Sequence, residues 1–110
     1  MDSIMQNLKR ATVDIILLSL LEEKDKYAYQ MAMELKEKTG NAYTIKEGSM
    51  YPILTRLKTK GFITYEEVIH CEKMRRVYYH LTETGHAYLA ERKATLKENL
   101  KVIYSLIDLD

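Results

Sequence analysis

One short stretch, residues 47–61, concentrates hydroxyl, phenol and cationic side chains. These groups are Ser49, Tyr51, Arg56, Lys58 and Lys60. On a short helix, such donors and cations suit hydrogen bonding to base edges and phosphates in a DNA major groove. An ordinary amphipathic surface helix would carry the same residue types, so the stretch alone leaves both interpretations open.

The apolar pattern of this stretch predicts the helix that would position those groups. Met50, Ile53, Leu54 and Leu57 recur at helical spacing on one face, and Gly61 is a stop signal. With Ser49 as N-cap, Pro52 falls in the first turn, where its missing N–H costs nothing. A helix beginning two or three residues earlier would instead be kinked at Pro52.

Charge and composition narrow the class of protein. The 110 residues, 46% hydrophobic and 30% charged, predict one globular domain rather than a disordered chain. The net charge is only +1, but residues 44–60 hold four cations, Lys46 among them, and the single anion Glu47. A local patch of this kind can bind phosphates although the whole chain is nearly neutral.

Several other classes of function lack their sequence signals. No apolar run approaches the roughly 18 residues of a membrane span, so no membrane partner is expected. The single cysteine, Cys71, excludes an internal disulfide and indicates a reducing, cytoplasmic location. No phosphate loop, metalloprotease motif or nucleophile elbow occurs, and no zinc-type Cys/His spacing, so we predict no enzyme, cofactor or metal.

Two helices are predicted before the key stretch. Residues 4–23 form the first; its segment 13–21 is apolar nearly all round, as in the central helix of a small domain. Lys9 and Arg10 interrupt its earlier turns and would either contact phosphates or remain solvated. A charged connector over 22–26 leads to a second helix over 27–39, with Gly40 as its stop. Its apolar face is predicted to include Tyr29, Ala32, Met33 and either Leu35 or Lys36. A short β-bridge is predicted near Thr44, and the spacing is that of a helix-turn-helix with a longer turn.

Two extended runs follow the key helix, over 62–70 and 74–81. Both are rich in β-branched and aromatic residues, and the second alternates in polarity. A β-hairpin directly after a DNA-reading helix is a wing, whose tip would present Lys73, Arg75 and Arg76 to DNA. A solvent-exposed charged hairpin is the alternative.

A long C-terminal helix is predicted from Thr82, its N-cap, to Leu109. A seam at coiled-coil spacing runs along it, formed by Leu89, Leu96, Leu100, Ile103 and Ile107, with Tyr104 widening the face. An exposed apolar helix needs a partner, and a second copy of the chain is the simplest one. The sequence therefore predicts a homodimer, with packing of the first turns onto the chain's own domain as the alternative.

Several motifs in one order resemble the PadR family of transcriptional regulators. The resemblance covers residues 8–89 and rests on Leu8-Lys9-Arg10, Tyr27-Ala28-Tyr29, Gly48-Ser49-Met50-Tyr51-Pro52, Arg56-Leu57 and the run Arg75 to Thr82. Where the family usually has glycine, this chain has Ala11 and Ala28. The resemblance implies a mainly α (α+β) winged helix-turn-helix over residues 1–81, with a two-stranded wing, and a single dimerisation helix over 82–110.

What the resemblance implies about function is a homodimeric repressor of a roughly palindromic operator. Carried over by motif, Ser49, Tyr51 and Arg56 would lie on the recognition helix, and Arg75 and Arg76 on the wing. Some members of the family are released from DNA by an aromatic effector near the dimer axis, for which Tyr88 and Leu96 are the candidates here. The alternative from another class is a winged-helix protein-interaction module that does not read DNA.

Overall fold

Residues 3–108 are described in a computed structural model of the chain. They form four helices and a three-stranded antiparallel sheet in the order α1 Ile4–Glu23, β1 Lys26–Tyr27, α2 Ala28–Thr39, α3 Glu47–Thr59, β2 Ile63–Cys71, β3 Met74–Leu81 and α4 Glu83–Ile107. The strand order in the sheet is β1-β3-β2. The predicted mainly helical chain with a β-hairpin is therefore observed, and the predicted end of the last helix at Leu109 lies outside the described residues.

Helix α1 is the centre of the core. It begins with a capping box, in which the Ser3 hydroxyl accepts from the Gln6 N–H and the Gln6 side chain accepts from the Ser3 N–H. Its second half is buried through Ile15, Leu17, Leu18, Leu20 and Leu21. Its first half, including Leu8, stays exposed. The predicted bounds and the predicted central role of this helix are confirmed.

Helix α2 packs through a face that matches the predicted one only in part. Leu35 is buried and Ala32 packs against the core, as predicted, and Met31 is buried as well. The Tyr29 side chain, by contrast, is 53% exposed, and Met33 is only half-buried. The helix ends at Gly40 in the left-handed conformation, with φ of 56°, which glycine adopts without strain. The β-bridge predicted near Thr44 is wrong, because residues 44–46 have no regular structure.

Strand β1 was not predicted, and it contains Lys26, the only fully buried charged residue among residues 3–108. Lys26 pairs with Tyr79 of β3, and its side chain is 0% exposed. Its ammonium contacts the carboxylates of Glu34 at 2.8 Å and Glu23 at 2.9 Å. Burial acts to lower the pKa of Lys26, but these two carboxylates outweigh it, and the pKa is raised. The charged connector of the sequence therefore ends in a buried lysine that pairs with two carboxylates nearer the surface.

The two strands of the hairpin pair in one register from Ile63 opposite Leu81 to Ile69 opposite Arg75, with an irregularity before Cys71. Ile63, Tyr79 and Leu81 lie on the core side and are buried. The outer two-thirds of the hairpin extends away from the core as the predicted wing, with Lys73 in its exposed turn.

Helix α4 is attached to the core by its first turns and is exposed beyond them. Leu89 is 0% exposed, so its assignment to the dimer seam is wrong: the first turns of α4 pack onto α1 and the rest of the core. Lys93, which lies between Leu89 and Leu96 of the predicted seam, forms a 2.9 Å ion pair with Glu22 of α1. Every residue from 97 to 108 is exposed. None of the helices within residues 3–108 has the length and apolar character needed to cross a membrane.

Candidate nucleic-acid interface

Helix α3 begins two residues before the predicted cap. Lys46 is the N-cap residue, without a side-chain capping bond, and Ser49 lies in the first turn, where its N–H donates to the Lys46 carbonyl at 2.9 Å. The prediction of Ser49 as N-cap is therefore wrong, and Pro52 lies inside the helix. The hydroxyl of Ser49 is consequently not used for capping and remains exposed.

The two faces of α3 are separated as predicted. Met50, Leu54 and Leu57 are buried in the core. The exposed side chains of α3 and its C-cap include the predicted site residues Ser49, Tyr51, Arg56, Lys58 and Lys60, together with Thr55. At 100° per residue these fall on two flanks, with Ser49, Arg56 and Lys60 on one and Tyr51, Thr55 and Lys58 on the other.

The Ser49 flank faces a cleft of about 500 Å³ shared with α1. Lys9, Arg10 and Lys46 line this cleft with Ser49. The Lys9 ammonium lies 5.7 Å from the Tyr43 ring centroid, and the Arg10 guanidinium donates to Asn7 at 2.8 Å. Three cations predicted from separate parts of the sequence thus meet on one side of α3.

The Tyr51 flank faces the wing. A cleft of about 450 Å³ between α2, α3 and β3 is lined by polar and aromatic side chains that include Tyr29, Glu47, Tyr51, Arg75 and Arg76. A neighbouring cleft of about 330 Å³ brings Thr55 and Lys58 to Tyr65 of β2. The Lys58 ammonium lies 4.4 Å from the Tyr65 ring centroid. The Arg76 guanidinium lies 4.5 Å from the ring centroid of Tyr27.

These aromatic contacts position the cations without neutralising them. Arg75 differs, because Glu67 on the opposite strand accepts from its guanidinium at 3.1 Å. Lys73 and Arg75 are both exposed on the wing. Six of the cations predicted as DNA contacts therefore line the clefts beside α3, namely Lys9, Arg10, Lys46, Lys58, Arg75 and Arg76. Arg56, Lys60 and Lys73 are exposed but line none of these three clefts.

The tyrosines of this face remain hydrogen-bond donors. The pKa of Tyr51 is raised, first by burial and then by the Glu47 carboxylate. Burial likewise raises the pKa of Tyr79. The neighbouring tyrosines Tyr78 and Tyr79 have different environments. Tyr79 is a core residue, whereas the Tyr78 hydroxyl lies 3.4 Å from His70 Nε2.

Sequence reasoning missed two aromatic residues on this face. Tyr65 was treated only as a strand former, and Tyr29 was placed on the apolar face of α2. Both are exposed, and each lines a cleft together with Tyr51. Side chains two positions apart on a strand share a face, so Tyr65 lies on the same side of β2 as the buried Ile63. This spacing was the signal that could have placed Tyr65 beside α3.

The residues predicted for the dimer and the effector lie away from this face. The Tyr88 ring stacks on Phe62 at a centroid distance of 4.0 Å, and its hydroxyl donates to Asp14 at 2.7 Å. Leu96 packs against the chain's own core. Beyond it, Leu100, Ile103, Tyr104 and Ile107 are 38–60% exposed. Among residues 3–108, no group of three or more His, Cys, Asp or Glu side chains is placed to hold a metal ion.

Comparison with known proteins gives a consistent family. Residues 17–91 match the model of the Transcriptional regulator PadR-like family. The Negative transcriptional regulator PadR of Bacillus subtilis (strain 168) is 32% identical over 69 residues, which are 63% of this chain but 38% of that protein. This chain therefore spans well under half of the length of that relative.

Solved structures share the fold. A transcriptional regulator from Clostridium thermocellum superposes with a TM-score of 0.83 at 34% identity, over 90% of this chain and 96% of the other. Bacillus subtilis PadR, solved in complex with operator DNA, gives a TM-score of 0.68 at 29% identity, over 73% of this chain and 46% of that one. The predicted winged-helix architecture is confirmed by this likeness.

Proposed function

The chain belongs to the PadR-like family of transcriptional regulators, and on that premise we propose that it represses transcription by binding a palindromic operator as a homodimer. Helix α3 is the recognition helix, which enters the major groove while the wing flanks it. The observation that carries this proposal is the convergence of cations from α1 and the wing on the two flanks of α3.

The position of each side chain decides which group of the DNA it is assigned to contact. Lys9, Arg10 and Lys46 on one flank, and Lys73, Arg75 and Arg76 on the wing, are assigned to phosphates, which position the protein without reading sequence. Lys58 and Lys60 add to this electrostatic contact at the end of α3. Ser49, Tyr51 and Arg56 are assigned to base edges or the phosphates beside them.

A homodimer is the second part of the proposal. The exposed side chains Leu100, Ile103, Tyr104 and Ile107 give α4 an apolar face that nothing within residues 3–108 covers. Residues 82–110 are thus proposed as the dimerisation helix and 1–81 as the DNA-binding part. Two recognition helices related by a twofold axis would read half-sites about one helical turn apart.

We assign no catalysis and no cofactor to this protein, and we place it in the cytoplasm, with the DNA. Release by a small aromatic effector remains a prediction. Tyr88 and Leu96 are already used in packing within the chain, so an effector at these residues would have to displace intrachain contacts.

A mobility-shift titration at two salt concentrations tests the proposal. Purified protein is compared on DNA from its own promoter and on unrelated DNA of equal length. Preferential binding that weakens steeply with salt is the expected result. Equal or absent binding to both DNAs by folded protein would favour the interaction module instead.

A further inference from the structure

Glu47 is an acidic residue on an otherwise cationic face. It is the first residue of α3 and is exposed. It lines the cleft shared with the wing and also the cleft behind it, between α2 and the loop that holds Thr44. Its side chain therefore lies on the ridge between these clefts, at the N-terminal end of the helix, the end whose residues contact base edges in a helix-turn-helix.

No cation pairs with this carboxylate among residues 3–108. Its polar neighbour is the hydroxyl of Tyr51, one turn along the helix, whose pKa it helps to raise. A glutamate at the first helical position is favourable to the helix dipole. The helix dipole therefore accounts for an acidic residue at this end of α3. It does not account for a carboxylate on a face that would approach DNA phosphates, because the phosphates repel it.

The chemistry of a carboxylate limits what it can read. An ionised carboxylate only accepts hydrogen bonds. The donors in the major groove are the amino groups of cytosine and adenine, and the adenine amine stands beside the acceptor N7. An amide side chain can accept from the adenine amine and donate to N7, whereas a carboxylate can only accept, which suits the cytosine amine.

We infer that Glu47 reads a cytosine in each half-site of the operator by accepting a hydrogen bond from its N4 amino group. The inference rests on the proposed function, because it requires α3 to lie in the major groove. It makes Glu47 a specificity-determining residue. Its negative charge lowers affinity for DNA in general, and its hydrogen bond to cytosine restores that affinity where a cytosine lies opposite.

Selection of binding sites from random duplex DNA tests this role. The wild type, Glu47→Ala and Glu47→Gln are run in parallel with Glu37→Gln, a matched control on α2 whose glutamate is exposed and lines none of the clefts described above. We expect a cytosine at one position of each wild-type half-site, with discrimination of about five- to tenfold. Glu47→Ala should lose this preference, Glu47→Gln should replace it with adenine, and Glu37→Gln should keep it.

The outcomes separate the inference from the function on which it rests. A wild type that selects no motif would overturn both. A wild type that selects a motif unchanged in both Glu47 variants would leave the repressor proposal standing and overturn the inference. Circular dichroism on all four proteins verifies that the selections compare folded chains.

Discussion

The hydroxyl of Thr82 donates a 2.7 Å hydrogen bond to the carbonyl of Gly61, joining the start of α4 to the end of α3. The same hydroxyl caps α4 by accepting from the Gly85 N–H at 2.9 Å. The Thr82 N–H donates to the Phe62 carbonyl at 3.1 Å. Thr82 therefore links the start of the helix proposed to dimerise to the segment that directly follows the helix proposed to read DNA.

Gly85 lets α4 approach this junction, and we predict that Gly85→Ala destabilises the chain. A Cβ at position 85 would lie 2.1 Å from the Phe62 carbonyl oxygen, so backbone must move. We expect a loss of roughly 1–3 kcal/mol in the free energy of unfolding, measured by urea denaturation at fixed protein concentration.

Gly48→Ala is the matched control for that substitution. Gly48 also lies in the first turn of a helix, but an added Cβ there meets nothing within 4 Å. It should leave stability unchanged or raise it by up to about 1 kcal/mol. Equal effects of the two substitutions would show that the junction with Phe62 is not what requires glycine at position 85.

The elements with strong local signals were predicted well from the sequence. The long apolar run of α1 predicted where this helix lies, and Gly40 marked the end of α2. Strand β1 carries no such signal, because two residues become a strand only by pairing with Tyr78 and Tyr79 some fifty positions later. The burial of Lys26 was equally hidden, since it depends on Glu34 from another element.

For the candidate site, residue types were predictable and neighbours were not. The cations of α1, α3 and the wing were named from charge and spacing alone. That Lys9 shares a cleft with Ser49, or that Tyr29 and Tyr65 each share one with Tyr51, depends on how the helices cross. Leu89 was assigned to the wrong contact for a related reason, because coiled-coil spacing cannot distinguish a contact within the chain from one between two copies.

The buried Lys26 cluster predicts a stability difference that depends on pH. Lys26→Met should destabilise by roughly 1–3 kcal/mol near neutral pH, because it removes charge-assisted hydrogen bonds to Glu34 and Glu23. Because the pKa of Lys26 is raised in the folded state, its contribution to the free energy of unfolding is fully present below about pH 10.4. That contribution is lost as the pH rises through the pKa of the folded state.

Glu23 sets the acidic limit of the same effect. Hydrogen bonds from Lys26 and Lys38 lower its pKa, so its contribution is present above about pH 4.3 and is lost as the pH falls through the lower folded value. Urea denaturation from acid to alkaline pH measures the free energy of unfolding of the wild type and of Lys26→Met. The difference between the two should become smaller at both ends of the pH range. Lys24→Met, two residues away and exposed, should show no such profile.

Salt dependence tests which cations touch phosphates. Lys60→Ala removes an exposed cation at the end of α3 while its backbone N–H can still donate to the Arg56 carbonyl. The slope of log affinity against log salt should fall by about 0.9 for each phosphate that the variant no longer neutralises, and so by about 1.8 for a dimer. Lys97→Ala, an exposed cation on α4, is the control, and its slope should equal that of the wild type.

The exposed end of α4 is where we expect substitutions to break the proposed dimer. Leu100 and Ile103 continue the face of the helix on which Leu89 is buried, whereas Val102 points to the opposite side at 100° per residue. Leu100→Lys combined with Ile103→Lys should give a monomer in sedimentation velocity, because four charges per dimer would have to be buried. The monomer should also lose affinity for a palindromic operator, since each half-site would be bound separately.

Val102→Lys is the control and should remain dimeric, although Val102 is 55% exposed and equally apolar. A dimer that survives the double substitution but not Val102→Lys would place the interface on the other side of α4.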